Sequence, residues 1–173
     1  EKQICVIDSR AAAGAMVLLI RRAQALMEAA GDDGDFDALC QQLHRYQATL
    51  RTCFTLENFD NLIKNGRMRP IVGTLLRSLG IHIIADATAE GTIHVADKAR
   101  GVGKTYRAIT ALMKASKDCT DAEVVISHCE NLEGAMALKR QILADLPVKQ
   151  VDLLSCRGLT SFYAMEKGLI VGY

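Results

Sequence analysis

Two arginines in this chain sit where the backbone turns. Arg67 follows Gly66 in the run Asn61-Leu62-Ile63-Lys64-Asn65-Gly66-Arg67-Met68. Arg100 closes Thr92-Ile93-His94-Val95-Ala96-Asp97-Lys98-Ala99-Arg100, just ahead of a Gly-x-Gly turn. A guanidinium keeps its charge and forks onto two oxygens of a carboxylate or phosphate. Two of them on turns suit the holding of an anionic group.

Other candidates stand at predicted strand ends. Asp8-Ser9 follow the apolar run Ile4-Cys5-Val6-Ile7, and His128 ends Glu123-Val124-Val125-Ile126-Ser127-His128. In open α/β sheets, ligands bind in the crevice outside the carboxyl ends of strands. The plainer roles are helix capping for Asp8-Ser9 and a strand-end hydrogen bond for His128. Arg100-Gly101-Val102-Gly103-Lys104-Thr105 nearly spells a phosphate loop, but Lys98 occupies the position of the pattern's first glycine. A glycine turn entering a helix is the simpler reading. His82 and His94 are expected at partnered positions of a hairpin, with no third metal ligand in view. No triad, Cys-His pair or paired-carboxylate arrangement has local support, so no catalytic residue, metal or cofactor is assigned.

Composition narrows the classes. Twenty-one basic and 20 acidic residues leave a net charge of +1, which argues against general nucleic-acid binding. The six cysteines form no C-x-x-C and several stand in apolar runs, as expected of reduced thiols in a cytoplasmic protein. The apolar run Ala11 to Ile20 is only half the roughly 20 residues a membrane span takes, so no integral membrane association is expected. The chain opens directly on a predicted core strand, as a piece of a longer protein would.

The predicted elements run as follows. Gln3–Ile7 reads as a strand buried on both faces. A helix from Gly14 to Ala30 stops at Gly31, and Asp35 caps a second, apolar at Phe36, Leu39, Cys40, Leu43 and Leu50. After a short strand at Thr52–Thr55, helix is expected over Leu56–Lys64 and again from Arg69-Pro70 to Leu79. Ile81–Ala85 and Thr92–Ala96 form a hairpin. Helix Val102–Lys117, strand Glu123–His128, helix Leu132–Leu146, and strands Val148–Leu154 and Gly168–Gly172 complete the order. The class is α/β (α+β). Residues 1–51 read as the carboxyl-terminal part, or remnant, of a doubly wound parallel domain. Residues 52–173 read as a second domain, a mixed/antiparallel sheet with helices.

Val6-Ile7-Asp8-Ser9-Arg10, the Leu62–Met68 segment, Val72-Gly73-Thr74-Leu75-Leu76, Lys98-Ala99-Arg100 and Val124–His128 together resemble the DegV family in order and spacing. That resemblance implies a bacterial, non-enzymatic protein of two α/β domains that holds a long-chain fatty acid between them. It also implies a partner, a fatty-acid kinase to which the acyl carboxylate is presented. Carried over by position, Arg67 and Arg100 belong to the head-group face or to partner docking. Tyr163 begins Tyr163-Ala164-Met165-Glu166-Lys167, aligned with the family's His-Thr-Gly-Pro-Gly segment, and stands in place of its histidine. Asp8, Ser9, His128 and Tyr163 are the expected crevice residues. Where the family's hydroxyls and histidine are replaced, the alternative is an interaction or regulatory module that kept the fold and lost the ligand. Apolar edges facing an absent lobe could be covered by a homodimer.

Overall fold

A computed structural model describes residues 3–31, 34–69 and 80–173. The helix expected between Arg69-Pro70 and Leu79, and the Val72–Leu76 segment, lie outside these residues. Among them run α1 (Gly14–Ala30), α2 (Phe36–Thr49), β1 (Thr52–Thr55), α3 (Asp60–Lys64), β2 (Ile81–Ala87) and β3 (Ile93–Arg100). Then follow α4 (Val102–Ser116), β4 (Glu123–His128), α5 (Leu132–Asp145), β5 (Gln150–Ser155), α6 (Gly158–Ala164) and β6 (Leu169–Gly172). The strands form one mixed sheet in the order β3-β2-β1-β6-β4-β5. Only β4 and β5 pair in parallel, with α5 as their crossover; the other neighbours are antiparallel.

Local chemistry accounts for the element ends. Gly31 stops α1 with φ +63°, a conformation that strains any residue carrying a Cβ. The Asp35 carboxylate accepts from the Asp37 and Ala38 amides and so starts α2. Asn131 does the same for α5 through the Gly134 amide, and Pro147 stands just past that helix's end.

The sheet's two faces differ. Strand alternation sends Cys53, Ile84, Val124, Ile126, Leu169 and Val171 to one side, where α4 and α5 cover them with Ile109, Met113, Leu138 and Ile142. On the other side α1 covers β4 and β6, packing Leu18 and Leu19 around Val125. It can lie so low because its first residue is Gly14 and it crosses Gly172. A Cβ at 172 would stand 2.6 Å from the Ala15 Cα and nearer still to the Ala15 nitrogen. Over β1 and β2, α3, Met68 and α6 build a second small core with Phe54, Ile83 and Ile170.

Several expectations are corrected. Residues 3–12 form no strand. They run as an extended strap: Ile4 and Val6 are 83% and 85% exposed, while Ile7 packs on the α1 core. An apolar run needs strand neighbours on its edges to be a sheet strand, and the described sheet offers this segment none. The strap therefore adds no parallel strand to the mixed sheet. Helix around Leu56–Lys64 begins only at Asp60. His82 and His94 are not partners: His82 faces Ala99 and His94 faces Asp86, and the register shifts between Ile84 and Ala85. Helix α6 is an addition to the predicted elements.

Candidate functional site

The uncovered part of the second face is a groove of about 1140 Å³. Its floor is Phe54 of β1, Ile170 of β6, and Ile93 and Val95 of β3; Thr52 lies at one edge. One wall is the strap from Asp8 to Ala12. The other is α3 with its exit, Gly66 to Arg69, together with Leu159, Thr160 and Tyr163 of α6. The volume lies just above the usual range of small-molecule sites.

Each wall has a local cause. Helix α3 ends in a Schellman turn: Gly66 adopts φ +68°, its amide donates to the Ile63 carbonyl at 3.0 Å, and the Arg67 amide donates to the Leu62 carbonyl at 2.8 Å. This turn throws Arg67 and Arg69 outward and tucks Met68 into the core. The strap is fixed by Arg10. Its amide and Nε donate to the Asp8 carboxylate at 3.2 and 3.4 Å, and Nη1 donates to the Ala89 carbonyl in the hairpin turn at 2.9 Å. Gln47 of α2 donates to the Ser9 carbonyl at 3.2 Å. Ser9 spends its hydroxyl locally, with Ala11 at 3.4 Å. Tyr163 meets Phe162 edge-on, ring centroids 5.0 Å apart.

Four of the six sequence candidates therefore share this groove: Asp8, Ser9, Arg67 and Tyr163. Arg100 does not line it; it ends β3 opposite Ile81 and is exposed. Nor does His128. It has the strand parity of Val124 and Ile126 and turns to the helix-covered side, buried, its Nδ1 accepting from the Asn131 amide at 3.4 Å. Arg10, Arg69 and Thr160 were missed; nothing in their spacing marks them, since the groove is assembled from distant segments.

The groove's charge is uneven. Arg10, Arg67 and Arg69 contribute three guanidiniums against the single carboxylate of Asp8. His94, also on its edge, bonds Asp86 at 3.0 Å. An apolar floor with a cationic rim can take an amphiphile that carries an anionic head. No group of three or more His, Cys, Asp or Glu able to hold a metal occurs among the described residues. Cys53 and Cys119 are buried, and the other four cysteines are partly exposed. Burial pushes the Cys156 thiol up to about 11, and the hydrogen bond with Cys5 pushes Cys40 up to about 11.

The family model described as "Uncharacterised protein, DegV family" matches residues 1–169. The chain belongs to the DegV family. Among curated DegV domain-containing proteins it is 33% identical over 175 residues to one from Streptococcus pneumoniae and 32% identical over 171 residues to one from Streptococcus gordonii. It spans about three-fifths of their length: all of this chain against 60% of the first, and 98% against 59% of the second.

Solved DegV structures share the fold. That of the Streptococcus pneumoniae fatty acid kinase (Fak) B3 protein, loaded with linoleic acid, superposes with a TM-score of 0.89 at 32% identity, covering 99% of this chain and 59% of that one. A Ruminococcus gnavus family member, refined with vaccenic acid, gives 0.89 at 30% identity, covering 100% and 61%. A Eubacterium eligens member loaded with heptadecanoic acid gives 0.90 at 26% identity, covering 98% and 60%. No helix among the described residues is long and apolar enough to cross a membrane.

Proposed function

We propose that this DegV chain supplies one wall of a fatty-acid site. A long acyl chain would lie along the floor made by Phe54, Ile93, Val95 and Ile170, with its carboxylate toward Arg67. The observation that carries the reading is the pairing of an apolar groove of about 1140 Å³ with a rim of three guanidiniums and one carboxylate. The acyl ligands of the Streptococcus pneumoniae and Ruminococcus gnavus proteins, at 32% and 30% identity, support it. Each methylene removed from water contributes about 0.8 kcal/mol, so an open groove holds a long chain less well than a closed tunnel. We take residues 1–51 as the end of a first α/β domain whose remainder roofs the groove, and 52–173 as the second domain. Arg100, off the groove and exposed, is assigned to docking a fatty-acid kinase that would act on the presented carboxylate. The chain itself would carry out no catalysis.

The test is native mass spectrometry of the full-length protein purified without detergent, followed by denaturing extraction. One acyl chain per protein is expected, released as free fatty acid. Arg67→Ala should weaken uptake of a fluorescent fatty acid about tenfold or more, as loss of a charge-assisted bond does. A clean apo mass, as a monomer or as a homodimer, after incubation with oleate would refute the reading.

A further inference from the structure

A second pocket, of about 310 Å³, opens on the opposite, helix-covered side of the sheet, where β1 ends against the starts of α4 and α5. We propose that it binds a small phosphorylated compound. Two independent features point there. The first is Thr55, which is 7% exposed and lines the pocket; its Oγ1 is the one buried side-chain nitrogen or oxygen without a hydrogen-bond partner among the described residues. Strand parity aims it this way, because Cys53, two residues earlier, packs under the helices. A buried hydroxyl with no partner is uncommon, and a ligand would supply one.

The second feature is the start of α4. This helix has 15 residues and no side-chain cap. Gly101 precedes it with φ +82°, and the first amide to find a carbonyl is that of Thr105, on Gly101 at 3.1 Å. The amides of Val102, Gly103 and Lys104 lie ahead of that bond, at the positive end of the helix dipole. Such a terminus is suited to a phosphate. This is the near-phosphate-loop segment, which the acyl groove on the other face does not use. His82 and Lys167 add basic groups to the lining.

The pocket also contains two carboxylates. Glu57 stands 3.9 Å from His82, and Glu133 lies in the first turn of α5. They bias the site against bare anions and toward compounds whose remainder carries hydroxyl or amino donors for them. The volume leaves room for such a remainder. Nothing in this inference depends on the acyl groove.

Glycerol phosphate, a phosphate whose free hydroxyls suit the two carboxylates, is the first probe, titrated into the full-length ¹⁵N-labelled protein at constant ionic strength, with acetate as a parallel arm. Saturable shifts of the Thr55, Val102 and Gly103 amides are expected with glycerol phosphate and not with acetate. Thr55→Val should weaken binding about tenfold, and Thr55→Ser should restore it. Val102→Pro removes one donor at a position where proline suits a helix, and should weaken glycerol phosphate binding without lowering the melting temperature. The proposal is overturned if glycerol phosphate gives no saturable shift, if acetate matches it, or if Thr55→Val and Val102→Pro both bind like the parent.

Discussion

Replacing Gly172 with alanine tests how α1 is seated on the sheet. The new methyl would sit 2.6 Å from the Ala15 Cα and closer to the Ala15 nitrogen, where no flexible side chain can yield. Helix α1 must lift from β4 and β6. A radial gap of roughly 0.5–1 Å forfeits a quarter to a half of the dispersion contact on the separated surfaces. The surfaces affected are those of Ala15, Leu18, Leu19 and Val125, all buried. Full burial of one large aliphatic side chain contributes about 1.5–3 kcal/mol, and overpacking costs about 1–3 kcal/mol. A loss of about 3 kcal/mol follows, which for a chain of this size lowers Tm by about 6–12 °C. Gly103→Ala is the control: a Cβ there meets nothing within 4 Å, and the helix gains roughly 0.5–1 kcal/mol. Thermal unfolding followed by far-UV circular dichroism reads both. If Gly172→Ala melts within about 2 °C of the parent, α1 is not seated by backbone contact and the account of its close approach to the sheet fails.

Three further outcomes are expected. Asn131→Ala removes both the cap on the Gly134 amide and the 2.8 Å bond from Nδ2 to the Lys167 carbonyl; a loss of about 1–2 kcal/mol should appear as a lower denaturant midpoint at unchanged slope. Gly66→Ala forces an L-residue to φ +68°, costs about 1 kcal/mol, and should weaken acyl binding together with stability because the same turn aims Arg67. Thr110→Val tests a pH linkage: the Thr110 hydroxyl, at 2.6 Å, holds the Asp145 carboxyl below its ordinary 3.8, with the Gln141 amide second. A lowered folded pKa stabilises above the unfolded value and is lost as pH falls through the folded one. The stability gap between parent and variant should therefore be constant near neutrality and shrink below about pH 4; a gap that stays constant down to pH 2.5 would contradict the assignment.

Legibility followed the range of the forces involved. Helix α1 with its Gly31 stop, the Asp35 cap and the β2–β3 hairpin are set by neighbours in sequence, and all were readable there. The strap was not. Ile4 to Ile7 has the composition of a core strand, but composition cannot say whether a sheet edge waits beside it. Helix α6 escaped notice because Gly158–Ala164 is seven residues long, opens on glycine and contains Thr and Ser. Helices so short are stabilised by packing rather than propensity, here by Ala164 in the core with Phe54 and Ile170. For the candidate site, Arg67 could be placed because its turn is local. His128 could not, because a strand apolar on both faces gives no sign of which side any one residue takes.

The groove's polarity rests on long-range links that local signals do not carry. Arg10 reaches 79 positions along the chain to the Ala89 carbonyl while pairing with Asp8. That pairing offsets the one carboxylate in the groove and leaves Arg67 and Arg69 as the unbalanced charge of its lining. The apolar rim points the same way. Leu159 of α6 is 71% exposed on the wall opposite the strap. Scattered apolar side chains on a surface need no explanation, but this one lines a groove whose floor is already apolar. Removing Leu159 and the floor from water is favourable whether the cover is an acyl chain, another lobe or both. An acyl chain roofed by a second domain would use the floor, the bare rim and the excess positive charge together, whereas a partner that only covered the rim would leave the arginines without a counter-charge.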